Sequence, residues 1–153
     1  MDIGIDGKTR KKVSAAPEQV LADTYALYTK THTYHWNVEG PRFSQLHLLF
    51  ETQYNELWLA LDAIAERMRS LGQYVPALES VGAKSTLKAD NGALGEDQML
   101  ANLAAGNEAV VKSARTALKI AEEAGDQASA DLMTERCAVG EKAAWMLRAH
   151  TAK

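Results

Sequence analysis

The stretch THTYHWNVEGPRFSQLHLLFETQY, residues 31–54, holds three of the four histidines in the chain, His32, His35 and His47, on either side of the break Val38-Glu39-Gly40-Pro41. Upstream of it, Val20, Leu21, Tyr25, Leu27 and Tyr28 recur at helical spacing and predict a helix over residues 17–37. Downstream, Leu46, Phe50, Leu57, Leu61, Ile64 and Met68 form one apolar stripe. That stripe predicts a second helix, capped by Ser44 and running to Leu71 before Gly72. A break this short between two such helices makes an antiparallel hairpin.

Residues 73–95 are punctuated by Pro76, Gly82, Gly92 and Gly95 and have room for one short helix at 76–81. A connection of this length is a crossover, able to carry the chain from one end of a bundle to the other. Two further helices follow, at 96–124 and 127–150, parted by Gly125. Hairpin, crossover, hairpin is the plan of an all-α, ferritin-like four-helix bundle occupying residues 16–153. Residues 1–15 read as a flexible basic arm, with Gly4 and Gly7 and the diluting Asp2 and Asp6 followed by Lys8, Arg10, Lys11 and Lys12.

At 153 residues the chain has the length of one domain with a proper core. A formal net charge of -3 argues against a surface built wholly for nucleic acid, leaving only the basic arm for that purpose. Cys137 is the single cysteine, so no internal disulfide can form and a reducing compartment is expected. With neither a bilayer-length apolar run nor a secretory leader in view, the expected location is the cytoplasm, with no membrane partner.

Chemistry enters through the second helix. Taking His47 as the origin of a helical wheel, Glu51 lies about 40° round, Asp62 about 60° and Glu66 about 100°, one polar sector well away from the apolar stripe. His35 and His47 flank the break and can meet at one end of the hairpin. Asp62, however, is fifteen residues beyond His47, roughly 22 Å along a helix. One chain cannot bring both ends to a single metal, whose ligand bonds are only about 2 Å long. Two chains with these helices antiparallel across a two-fold axis can, and would close two identical sites. Leu48, Trp58 and Leu59 on the same side suit such an interface. The plainer readings are an ordinary solvated acidic face and a hydrogen-bonded histidine near a helix end.

Taken together, HWNVEGPRFSQLH, FE..Y.EL and LDAIAERM..LG, with ADLMTERCAVGEKAAWMLRAH near the end, resemble the Dps family, mini-ferritins named for DNA protection in starved cells. The resemblance implies an iron-storage protein and ferroxidase. Its di-iron sites would lie between subunits, with His35, His47, Asp62 and Glu66 as the catalytic iron ligands. Glu51 stands where many members carry an assisting aspartate. Hydrogen peroxide is the implied oxidant, and the ferric mineral is kept in a hollow homo-dodecamer built from two-fold dimers, guarding DNA against oxidative damage. Zinc or other divalent metals would also suit these ligands. No Glu-x-x-His pattern, the mark of a metal site within the bundle, occurs in the chain.

By the same likeness Trp36 would absorb stray oxidising equivalents, the alternative being an aromatic anchor. Glu122, Glu123, Asp126 and Asp131 are the candidate acids of an iron-entry pore, or simply an acidic turn. Lys8, Arg10, Lys11 and Lys12 are the candidate DNA contacts, which a shell would present in many copies. Two other readings stand beside this one: a DNA-condensing nucleoid protein with an idle metal site, and a helical oligomer held by structural zinc.

Overall fold

The computed structural model describes residues 2–151, so residues 1, 152 and 153, the outer ends of the expected arm and bundle, lie outside it. Every regular element among the described residues is a helix: α1 (Gly7–Ala15), α2 (Glu18–Asn37), α3 (Phe43–Ser70), α4 (Leu78–Gly82), α5 (Glu96–Glu123) and α6 (Gln127–Ala149). The pairs α2 with α3 and α5 with α6 form hairpins, α2 also lies against α5, and α4 sits on α2 within the crossover. The expected four-helix bundle with a helix-bearing crossover is what the chain builds.

The predicted stripe of α3 is the core face: Leu46, Phe50, Ile64 and Met68 are fully buried, Leu57 and Leu61 nearly so. They meet Leu21 and Leu27 of α2, Met99 and Leu103 of α5, and Met133 of α6. At about 25 cal/mol per Å2 of apolar surface removed from water, this shared core is what stabilises helices whose local signals alone are weak.

Two local expectations give way. Ser44 lies inside α3, and the N-cap is Arg42, which makes no side-chain capping bond. The turn tightens one step early because Phe43 N donates to Gly40 O at 3.1 Å and Leu46 N to Arg42 O at 3.0 Å. The basic segment, expected to be a flexible arm, contains helix α1. Asp6 caps it by accepting from Lys8 N and Thr9 N at 2.9 and 3.1 Å. Val13, 1% exposed, then docks it on Leu71, Ala121 and Ala130 in a small second core.

The crossover is tied down by polar groups. Asp23, fully buried on α2, accepts through Oδ1 from Thr86 N at 2.7 Å and from the Ser85 and Thr86 hydroxyls at 3.0 Å. Further along, Asp90 pairs with Lys30 and accepts from the Tyr34 hydroxyl. Burial first, with the Asp90 carboxylate added, pushes the Tyr34 hydroxyl above its ordinary value, against the bond donated by Asn102. Gly92, at φ +73°, lies so near α2 that a Cβ would come within 2.6 Å of Thr33 Cγ2.

Candidate metal centre

The turn between α2 and α3 is held from outside the hairpin. Arg42 donates from its backbone N and its Nε to the two carboxylate oxygens of Glu96 at 2.8 and 2.9 Å, from Nη2 to Asp97 at 2.6 Å, and from Nη1 to His150 O at 3.0 Å. One guanidinium thus fastens the turn to the start of α5 and the end of α6. At Gly40, φ is +123° and a Cβ would sit 3.0 Å from Glu96 Oε1, so the Arg42–Glu96 contact and the glycine belong together. Neither role was legible from spacing. The only hint was a basic residue after the break and an acidic pair opening the third long helix.

On this anchored turn His35 and His47 face each other. His35 Nδ1–H donates to the carbonyl of His47 at 2.9 Å, and His47 Nδ1–H donates to the carbonyl of His35 at 2.9 Å. The rings are stacked, centroids 3.7 Å apart. A carbonyl can only accept, so each Nδ1 carries a proton, and the neutral form of each ring has its lone pair on Nε2. Such a backbone-fixed tautomer orients an imidazole for a metal. The donor set fits a divalent iron ion in chemistry and protonation.

Aromatic rings brace this pair. Tyr54 lies edge-on to His35 at 5.2 Å and stacks on His32 at 3.9 Å. His32, half-buried, also meets Trp36 at 4.2 Å, and Tyr28 OH lies 3.3 Å from its Nδ1. Burial, with the nearby His35 adding to it, holds the His32 ring below the usual histidine range. Tyr28, read in sequence as part of the apolar pattern of the first helix, and Tyr54, part of the FE..Y.EL motif, carry no site role on spacing, although both fall on the face that carries the histidines.

The acids stand apart. Asp62 and Glu66 are exposed on α3, and Glu51 is half-buried one turn beyond His47. Within one chain, no three His, Cys, Asp or Glu side chains among the described residues converge on a point that could hold a metal. The face bearing Asp62 and Glu66 also exposes large apolar side chains: Leu48 is 62%, Trp58 56% and Leu59 70% exposed, and Trp36 of α2 is 66% exposed. Large apolar groups in water beside half of a ligand set are the features of an unpaired interface.

The Ferritin-like domain model of protein families matches residues 15–153. Over 130 residues the chain is 34% identical to the DNA protection during starvation protein of Brevibacillus brevis, a match covering 84% of this chain and 87% of that one. The chain belongs to the Dps family of ferritin-like proteins. It is also 38% identical over 151 residues to an uncharacterized low temperature-induced protein of Nostoc, covering 97% of this chain and 84% of that one. The crystal structure of the Dps protein from Vibrio cholerae O1, a member of a broad superfamily of ferritin-like diiron-carboxylate proteins, superposes with a TM-score of 0.91 at 29% identity. That match covers 98% of this chain and 95% of the other.

Of the four acids considered for a pore in this Dps chain, Glu122, Glu123 and Asp131 are exposed. Asp126 is 3% exposed and engaged: it caps α6 through Ser129 and pairs with Arg67 at 2.6 Å. Burial pushes its carboxyl up, but the bonds from Ser129 and Arg67 outweigh this and hold it below the usual carboxylate range. Its stabilising contribution is therefore complete above about pH 4, the unfolded-state value, and is lost as pH falls through the lower folded value. Asp126→Ala, which leaves Arg67 only its bond to the Ser129 hydroxyl and opens the cap, should cost about 3 kcal/mol. Melting curves from pH 7 to 3 check both points: the variant melts lower at pH 7, and the gap closes in acid.

Proposed function

We propose that this protein is a ferroxidase and iron-storage protein whose catalytic sites close between two copies of the chain. The observation that carries this reading is the reciprocal lock of His35 and His47. It leaves two Nε2 lone pairs at one end of the α2–α3 hairpin, while Asp62 and Glu66 lie too far along α3 to join them. A partner related by a two-fold axis, its α3 antiparallel, supplies the acids at each end. Glu51 lies close enough to His47 along α3 to assist. The diiron-carboxylate character of the Vibrio cholerae relative supports iron as the substrate.

In the proposed reaction two Fe(II) ions give one electron each to one hydrogen peroxide molecule, which takes up two protons and leaves as two waters. Pairing the electrons avoids hydroxyl radical, and the Fe(III) hydrolyses to oxyhydroxide mineral. The imidazoles and carboxylates hold and orient the iron while open positions admit the oxidant. A hollow dodecamer would contain the mineral, with Glu122, Glu123 and Asp131 as pore acids that draw in cations. Zinc, cobalt or manganese would fit the same ligands. The test is the initial rate of peroxide-driven Fe(II) oxidation, followed by ferric absorbance. His47→Ala with Asp62→Ala is expected to lower it at least about a hundredfold, since losing even the outer hydrogen-bond partners of metal ligands costs about 10–100-fold; an unchanged rate refutes the reading.

The name of the Brevibacillus brevis relative supports DNA protection as the purpose of this chemistry. Direct contact with DNA in the nucleoid would use α1, where Lys8 and Lys11 are exposed and Lys12 reaches Glu123 at 3.6 Å. Because Val13 ties α1 to the bundle, removing the segment would bare a core contact, so charge reversal is the cleaner probe. Lys8→Glu with Lys11→Glu should abolish a gel shift of duplex DNA at low salt and leave iron oxidation unaltered. A shift that survives would place DNA elsewhere.

A further inference from the structure

Helices α3 and α6 touch sparsely, while each is tightly paired with its own hairpin partner. A cleft of about 250 Å3 opens along this seam, lined by Leu49 and Leu57 of α3 and Val139, Ala143 and Met146 of α6, with Thr52, Glu56, Asn107 and Lys142 completing it. Gln53 projects from α3 into the same cleft and is only 9% exposed. Both of its amide atoms, Oε1 and Nε2, lack a hydrogen-bond partner among the described residues. Three of the other polar side chains lining the cleft bond elsewhere: Glu56 accepts from Arg136 Nη1, Thr52 Oγ1 donates to Leu48 O at 3.0 Å, and Asn107 Nδ2 donates to Leu103 O at 2.9 Å. A buried donor and acceptor left unpaired in an apolar wall are each strongly disfavoured.

We infer that the α3–α6 cleft is a binding site for a small uncharged molecule that carries an apolar body and an amide or lactam edge, paired with the Gln53 side chain. A primary amide presents N–H and C=O side by side, and another amide edge matches both at once. An alcohol meets only one point of that edge. A carboxylate matches only the N–H half of that edge and sets its charge beside Glu56 as well as Lys142. The volume limits the body to a single ring or a short chain. A single water on Gln53 is the competing occupant, because Thr52, Glu56, Asn107 and Lys142 also line the cleft. The site is separate from the iron chemistry, because Gln53 lies on the other side of α3 from His47 and Asp62 and none of the proposed ligands lines the cleft.

The probe is benzamide, titrated into the full-length assembled protein and followed by saturation-transfer NMR. Saturable binding is expected, weakened at least about tenfold in Gln53→Leu, which keeps the side-chain bulk and removes the amide. Ala143→Phe, which fills the cleft from the opposite wall and leaves Gln53 intact, should weaken it as much. Benzoate and ethylbenzene should bind at least about tenfold more weakly than benzamide. Circular dichroism and native mass establish that both variants are folded and assembled, and should one fail to fold the other still decides. No saturable binding, equal binding to the folded variants, or a crystal soaked in benzamide with only water on Gln53 would overturn the inference.

Discussion

Assemblies made only of His47→Ala subunits, or only of Asp62→Ala subunits, should be inactive in peroxide-driven Fe(II) oxidation, while a co-assembled equal mixture should recover about one quarter of the wild-type rate. The reason is geometric. In the proposed two-fold dimer each site takes imidazoles from one chain and carboxylates from the other. A mixed dimer therefore has one site with both lesions and one with none. Random pairing makes about half of all dimers mixed, so about one site in four is whole. The subunits must be co-expressed or refolded together, with tags of different mass so that mixed dimers can be counted in a native spectrum. A site closed within one chain would give no recovery however well the subunits mixed. Recovery scaling with the counted fraction of mixed dimers admits no other arrangement of two damaged halves. The result also separates catalysis from an idle metal site, since structural metal would leave the oxidation rate indifferent to pairing.

The α3 helix shows why so much of the fold could be read in advance. Its apolar residues fall at helical spacing over 28 residues, and each of the six named from sequence is buried. A long periodic signal averages out local exceptions. The ends of helices do not benefit from such averaging. Ser44 was a reasonable cap by residue type, but Arg42, held by Glu96, Asp97 and the carbonyl of His150, fixes where α3 begins. Those partners are more than fifty residues away, beyond any local pattern. Helix α1 was hidden for the same reason: nine residues are too few to hold a helix alone, and Val13 packs on Leu71, Ala121 and Ala130 from three other parts of the chain.

The candidate centre was legible in outline because identity and separation were enough to show that His47 and Asp62 cannot share a metal in one chain. The protonation of the imidazoles was not. It follows from the paired bonds of His35 and His47 to each other's carbonyls, which exist only once the turn has closed. Asp126 teaches the converse. As an acid in an acidic turn it looked available to solvent, yet the fold places it against Arg67 and Ser129. Composition can nominate a carboxylate, while burial and partners decide its use.

Leu48→Glu combined with Leu59→Glu should reduce the assembly to monomers in native mass spectrometry, with iron oxidation lost and helix content retained. Both leucines are exposed on the single chain, at 62% and 70%, so neither holds the bundle together. Exchanging an exposed helical leucine for glutamate costs at most a few tenths of a kcal/mol in propensity, and melting of the monomer should reflect no more than that. The interface is another matter. Burying a leucine is worth about 1.5–3 kcal/mol, and a two-fold axis repeats each change, so four lost contacts weaken pairing by about 6–12 kcal/mol. Four carboxylates set against Trp36 and Trp58 without cationic partners add a desolvation penalty in the same direction. Since every tenfold in affinity is about 1.4 kcal/mol, pairing falls by at least about four orders of magnitude. Oxidation must fall with it, because separated chains hold imidazoles without acids and acids without imidazoles. Monomers that still oxidise iron at the wild-type rate would mean the chemistry needs no partner, and an assembly of unchanged mass would mean that this apolar face is not where the copies meet.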